Sequence, residues 1–366
     1  MSHCSHIQYP VGQGGLHLGI IGDFAYIYDC GSVFSSRCNL HIIDIVSKLR
    51  NSNIIKVHVF ISHLHADHCS TLPNLLKRLS ANGIHTHIYV PYITPLEKIY
   101  LLADALSSFF TLGKWYTDFI IEPKSIVESP EYQTITSIIH SDDKRHAECG
   151  DKIITDDKLR KSIGSYLHEP NFMILPFVYD NFDCNKRNNF YKSIKNLFGK
   201  NPDDITNDEL KAKISQPNFL SNLKEAYKLL TNINFTSLCV YAGPTKSQEC
   251  EVIYYQTGYS ADLAGWLHTG DYNLKDTKYL DEFIRYYKNS FMHVGIFQIP
   301  HHGSANNISE RILSCINKNT ICFMTGEIHP KGKKQPKRTG KILEQMEHSW
   351  ILSSECPYSK IEQTTP

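Results

Sequence analysis

The segment His63-Leu64-His65-Ala66-Asp67-His68 packs four metal-competent side chains into six residues, directly behind an apolar run at 57–62. Neutral imidazoles with a carboxylate suit zinc, and also iron or manganese. If the apolar run is a buried strand, its end is a rigid platform, and His63 and His65 alternate onto one side while the chain is still extended. Asp67 and His68 then fall in the loop that opens the following helix. One short segment can thus supply ligands to two ions, at a strand end and a helix start. The competing reading is a His-rich surface loop in a chain with 19 His, and it ranks second.

A chain of 366 residues can bury a large core, as one big domain or two smaller ones. With 41% hydrophobic and 20% charged residues it has ordinary globular composition. The formal net charge of +1 creates no global field for nucleic acid or membrane, so any polyanion must be held by local patches. No stretch approaches the ~20 apolar residues of a membrane span. The first ten residues lack the basic and apolar regions of a secretory signal, and the expected location is cytoplasmic. Eleven scattered Cys, with no CxxC pair, read as reduced thiols and argue against a zinc ribbon or a thioredoxin-like site.

Patterning predicts a hairpin at 15–30, turning at Gly22-Asp23, a helix over 40–49 and a strand over 56–61. A helix follows from Ser70 or Thr71, with Pro73 in its first turn. Further strands are expected at 84–90, 135–139, 172–179, 236–241, 251–255, 264–268, 294–299 and 321–324. Helices are expected at 95–110, 220–230, 276–287, 308–316 and 338–346. This alternation indicates an α/β layered fold. The whole chain, 1–366, reads as a single domain. Its region 141–234, rich in Lys, Asp and Asn, reads as a largely helical insertion or cap.

Two more apolar runs end in metal-competent loops, Thr269-Gly270-Asp271 and Pro300-His301-His302-Gly303-Ser304. In an open α/β sheet such loops converge at one rim. Asp271 could instead cap a turn, and one of the two adjacent His could be a pocket residue.

The segment 62–68 resembles the H-x-H-x-D-H signature of the metallo-β-lactamase superfamily. The Val11-Gly12-Gln13-Gly14 start, the strand ending in Asp29-Cys30-Gly31, the Thr-Gly-Asp loop and the closing Pro-His-His-Gly-Ser are similar to the hydrolase domain of competence-type DNA-uptake proteins, here without a membrane channel. The resemblance runs from residue 9 to about 325. It implies a four-layer αββα sandwich with two divalent metal ions, zinc first, manganese or iron as alternatives, at one edge. Residue by residue, it implies that His63 and His65 serve the first metal, Asp67 and His68 the second, Asp271 both, and His301 the second. His302 would line the pocket or donate a proton, and Asp67 would also orient the nucleophile. The third His usual for the first metal has no matching motif. His140 is the best-placed candidate, ahead of His168 and His146, and a single ion held by Asp67, His68, Asp271 and His301 stays open.

Such a centre activates water for attack on phosphorus or a carbonyl carbon. Ser304 and Asn306 follow the last metal loop, where helix-start N–H groups could meet an anion, although Ser304 serves equally as a cap. The segment 331–338 carries four Lys and one Arg, Lys333 and Lys334 among them, and with His329 it is expected to face a phosphate-bearing substrate or nucleic acid. The leading expectation is a metal-dependent phosphodiester hydrolase, a nuclease or nucleotide phosphodiesterase. The alternatives are a hydrolase of a carboxylic ester, lactone, thioester or amide, and a non-catalytic regulatory or interaction protein in a bacterial defence or stress system.

Overall fold

The computed structural model describes residues 4–107, 113–128, 132, 134–140, 153–155, 171–179, 188–216, 218–227, 236–246, 248–255, 257–261, 263–328 and 335–365. Strand β1 (Cys4–Gln8) pairs with β2 (Gly14–Ile21), which forms the expected hairpin with β3 (Phe24–Ser32). Beyond it β4 (Lys56–Phe60), β5 (His85–Pro91), β6 (Thr134–His140) and β7 (Ile153–Thr155) add in parallel. Parallel neighbours need crossovers long enough for a helix, and the helices Ser35–Asn51, Leu72–Ala81 and Pro95–Ser107 occupy them.

The second half supplies β8 (Phe172–Tyr179), β9 (Ser237–Pro244), β10 (Cys250–Tyr254), β11 (Thr257–Ala261), β12 (Gly265–His268), β13 (Val294–Gln298), β14 (Ile321–Thr325), β15 (Trp350–Ser353) and β16 (Ile361–Thr364). The first sheet has the order β11-β10-β16-β1-β2-β3-β4-β5-β6-β7, and the second β15-β14-β13-β12-β9-β8. Three strands of the second half therefore extend the sheet of the first, with β16 seated between β10 and β1.

The two sheets pack face to face. Phe24, Tyr26, Tyr28, Phe60 and Tyr89 of one meet Phe172, Ile174, Val178, Leu238, Val240 and Ala242 of the other. Their alternates point outward: Ala25, Ile27, Val57, Val59, Ile88 and Val90 pack with the helices named above, as the strand period of two requires. On the other side Cys239, Tyr241, Leu267, Phe297, Cys322 and Met324 pack with Leu280 and Phe283 of helix Thr277–Tyr287 and Leu343 of helix Gln335–Gln345. The result is four layers, helix on sheet on sheet on helix.

The inner layer is partly polar. The Tyr26 hydroxyl lies 3.1 Å from His6 Nδ1, 3.1 Å from His17 Nε2 and 3.5 Å from His268 Nε2, with the indole of Trp266 stacked on His6. His58 Nδ1 is 2.8 Å from the Tyr89 hydroxyl.

The described parts of 141–234 give a strand to each sheet and the helices Asn188–Phe198, Asn207–Ile214 and Phe219–Tyr227. Phe190, Ile194, Leu210, Phe219 and Leu223 join the core outside the first sheet. Among the described residues no helix is long and apolar enough to cross a membrane.

Candidate metal centre

Three strand ends meet at one rim. Past β4, the Ile61 N–H donates to Tyr89 O at 2.9 Å and Ser62 O accepts from the Leu238 N–H at 2.7 Å, pinning the chain between the two sheets just before His63. Parallel neighbours β12 and β13 run out into the Asp271 loop and the His301-His302 turn. Gln298 ties these together, its Oε1 accepting from Thr269 N at 3.1 Å and its carbonyl from Thr269 Oγ1 at 2.9 Å. A Cβ at Gly270, where φ is 53°, would stand 2.6 Å from Ser62 Cβ, so glycine lets the Asp271 loop close against the His63 segment. His301 and His302 both lie in the left-handed region, at φ 52° and 53°. Backbone of that kind costs on the order of 1–3 kcal/mol per residue and concentrates at functional sites.

Six side chains form two clusters. His63, His65 and Asp271 each bring one donor atom within 4.8 Å of the others, and so do Asp67, His68 and His302. His63 Nε2 faces His65 Nδ1 at 3.0 Å and Asp271 Oδ2 at 3.5 Å. Donors that share one zinc at about 2.0–2.1 Å must lie within about 4 Å of each other, and both pairs made by His63 do. In the second cluster Asp67 Oδ2 lies 3.1 Å from His302 Nε2, and Asp67 Oδ1 4.0 Å from His68 Nε2. Asp271 turns its other oxygen, Oδ1, toward His68 Nε2 at 3.9 Å, so one carboxylate spans both clusters.

The imidazoles are oriented from behind. His68 Nδ1 meets Asp29 Oδ2 at 2.8 Å, His302 Nδ1 meets Thr325 Oγ1 at 2.9 Å, and His63 Nδ1 meets Ser62 Oγ at 3.0 Å. Each bond leaves Nε2 for the centre, the arrangement that fixes tautomer and ring direction in metal sites. His68 Nε2 and Asp271 Oδ1 are buried without a hydrogen-bond partner, which a protein interior seldom tolerates unless an ion completes the group. Burial opposes the charge on Asp271, yet His301, His63, His68 and His302 hold its carboxyl below the usual carboxylate range. Burial likewise opposes charge on Asp67, and His68 and His302 overcome it. His68 is disfavoured as a cation by burial but pushed up to about 10 by Asp29, Asp67 and Asp271. Burial, with His68 beside it, keeps His63 neutral. Converging carboxylates and imidazole nitrogens, from which a bound ion would displace the His68 proton, fit a divalent ion in each cluster.

The structure places several of the expected residues differently from the sequence reading. His302, expected in the pocket, stands with Asp67 and His68. His301, expected as their partner, lies with its Nε2 3.8 Å from Asp271 Oδ2. The two successive left-handed residues turn the chain so that the second ring reaches Asp67. Asp67 and His68 also lie in a short helical turn, Ala66–Cys69, rather than a loop. Ser304 is buried and accepts from Asn306 N at 3.3 Å, so it shapes the turn, while Asn306 is exposed. The helix expected over 308–316 is the single turn Glu310–Leu313, because Asn307 is spent on the Asp271 loop, its carbonyl accepting from Leu274 N at 2.9 Å.

His140 closes β6, and its side chain lies outside the described residues. His146, His168, His329, Lys333 and Lys334 lie wholly outside them. The sequence reading passed over Asp29, whose signal was the Asp-x-Gly at the end of β3, and Gln13, whose Nε2 donates to Asp67 Oδ2 at 3.4 Å.

A family model described as the metallo-beta-lactamase superfamily matches residues 19–139, which hold the His63–His68 segment. No curated relative matches the sequence. Among solved structures, the metallo-beta-lactamase fold protein YhfI from Bacillus subtilis is 10% identical, with 98% of this chain and 99% of that one covered and a TM-score of 0.43. Unliganded yeast PDE1 is 9% identical, with 100% of each chain covered and a TM-score of 0.45. Four layers, six converging donor side chains and the family match over residues 19–139 give the chain the metallo-beta-lactamase fold and the centre of a metal-dependent hydrolase.

Proposed function

We propose that the chain hydrolyses phosphodiesters, as a nuclease or nucleotide phosphodiesterase. Divalent ions, when bound, supply Lewis acidity and water that is nucleophilic at neutral pH. Carboxyl esters can be cleaved by the same ligands, so the substrate class has to be read from what surrounds them. The observation that carries the reading is cationic charge tied to the metal loop. Helix Gln335–Gln345 carries Lys337 and Arg338, both exposed, in its first turn, and the next residue, Thr339, donates its hydroxyl to the carbonyl of Gly303, directly after His302. Lys337 and Arg338 thus sit in a helix tied to the loop that carries His302, and positive charge beside such a centre favours a phosphate over a neutral ester. The similarity of the Pro-His-His-Gly-Ser ending and the Val-Gly-Gln-Gly start to DNA-uptake hydrolases supports the same substrate class.

In this reading Asp67, held by Gln13 and His302, orients the attacking water. His301, partly exposed beside Asp271, is the imidazole left for the substrate. The test is a substrate panel with added Zn²⁺, Mn²⁺ or Co²⁺: bis-p-nitrophenyl phosphate, single- and double-stranded DNA, RNA, cyclic dinucleotides and a lactone. Phosphodiester hydrolysis is expected, with losses of about 100-fold or more in Asp67→Ala and His302→Ala, in the range seen when groups that position or activate a nucleophile are removed. Lactone turnover beside an inert phosphodiester would reverse the assignment.

A further inference from the structure

His65 is oriented unlike the other histidines of the centre. His63, His68 and His302 give Nδ1 to partners at the rim and turn Nε2 inward. His65 does the reverse: Nδ1 faces His63 Nε2 at 3.0 Å, and Nε2 lies 3.5 Å from Asp104 Oδ2. Asp104 belongs to helix Pro95–Ser107 in the outer layer, and its Oδ1 accepts a hydrogen bond from the Tyr227 hydroxyl on helix Phe219–Tyr227. Tyr227 lies beyond the residues matched to the superfamily and 162 positions after His65, from 227 minus 65.

The backbone around His65 is already fixed. Its carbonyl accepts from His68 N at 3.0 Å and from Cys69 Sγ at 3.2 Å, and the Tyr116 hydroxyl holds Leu64 O at 2.8 Å. What stays undetermined by the backbone is which ring nitrogen carries the proton and which faces His63. The Asp104 carboxylate, at ion-pair distance from Nε2, favours the proton on that nitrogen and leaves the Nδ1 lone pair for the ion. At 27% side-chain exposure Asp104 is open to competition from water, and the Tyr227 hydroxyl supplies the second anchor that keeps it in place. Tyr227 is itself held by its helix, whose Phe219, Leu223 and Ala226 are buried, and by the Tyr100 ring at 5.4 Å.

Resting on the two-ion reading of the centre, we infer that Asp104 and Tyr227 form a positioning relay that presents His65 to the first ion and couples that ion's affinity to helix Phe219–Tyr227. The relay is a pair of positioning residues and touches no substrate.

The experiment is a Zn²⁺ titration of the full, metal-stripped chain against a competing chelator, for the wild type, Asp104→Asn and Tyr227→Phe, with circular dichroism confirming that each is folded. The expected result is two wild-type sites, of which one weakens 10- to 100-fold in Asp104→Asn, the usual range for loss of a partner behind a ligating His, while the other is unchanged. Tyr227→Phe weakens the same site by a smaller factor. A Co²⁺ spectrum altered for that site alone would separate repositioning of His65 from general destabilisation. A wild type that takes two ions while both variants bind both ions as tightly would overturn the relay and leave the centre standing. A wild type that binds fewer than two would overturn the two-ion reading and the relay with it.

Discussion

Asp29 accepts from Ser62 N at 2.7 Å, from Ser62 Oγ at 2.8 Å, and faces His68 Nδ1 at 2.8 Å, all without exposure to solvent. Asp29→Asn keeps the shape but turns one acceptor into an amide donor and removes a charge that favours His68 as a partner. The expected outcome is a 10- to 100-fold loss of affinity at the cluster of Asp67, His68 and His302, read by isothermal titration with Zn²⁺. Wild-type affinity in that variant would mean that Ser62 alone aligns the ring. Gly31, two residues on, has a different task. A Cβ there would stand 2.5 Å from Cys69 N and 2.6 Å from His68 C, so glycine lets the turn Ala66–Cys69 lie directly on β3. At this scale the ligands of one loop were legible because spacing alone brings His63, His65, Asp67 and His68 together. The choice between His301 and His302 was not, because it depends on two positive φ values that no pattern of side chains announces. Asp104 was invisible for a related reason: only helix packing brings it to His65.

Strands buried on one face and packed on the other were easy to read. β3 and β4 alternate large inward residues with aliphatic outward ones, β9 alternates aliphatic inward residues with Cys239 and Tyr241 outward, and each was expected within a few residues of its observed bounds. β1 and β16 escaped because their inward faces carry His6 and Gln363, polar groups that hide the alternation, and because each is only four or five residues long. The same polar lining has a cost that depends on pH. Burial lowers His6 and His58 to about 3 and His87 to about 4, and holds His17 and His268 well below their ordinary value. In the unfolded chain each titrates near 6.5. Between those values the unfolded state binds more protons than the folded one. Their contribution is therefore fully present above about pH 6.5 and is lost as pH falls toward 4 and 3. His68, pushed up to about 10, works the other way: it stays charged in the metal-free fold while its unfolded counterpart takes up a proton near 6.5, so it slightly offsets the loss between pH 7 and about 6 and adds no slope below that. The melting temperature should fall from pH 7 to pH 5, and His58→Phe, beside Phe24 at 4.9 Å, should make that fall shallower. A flat profile in the wild type would mean that these side chains are not neutral in the fold.

For the whole molecule, the alternation of strands and helices gave the layered class, while the sharing of strands between halves could not be seen from sequence because it rests on pairings across the entire chain. β16 joins β10 to β1, and Cys4 N donates to Thr365 Oγ1 across 361 positions. Among the described residues four hydrophobic clusters hold this frame, and none of them includes a metal-facing side chain. Removing metal with a chelator should therefore leave far-UV circular dichroism and a cooperative melt intact, with the melting temperature lowered by simple mass action. Collapse of the fold on chelation would contradict that.

The seating of β16 also orders events in time. A chain leaving the ribosome exposes His63, His65, Asp67 and His68 early. Asp271 follows His68 by 203 residues, and the strand that closes the first sheet comes later still. Such distant pairings form slowly, because their loops must close before any contact rewards them. For much of its synthesis the chain therefore displays half of a chelating set to the cell's metal pool, with no frame to select among ions. A complete set of donors has to await Asp271 and His302, which makes the metal a guest of the later chain and leaves the earlier one open to capture by whichever ion arrives first.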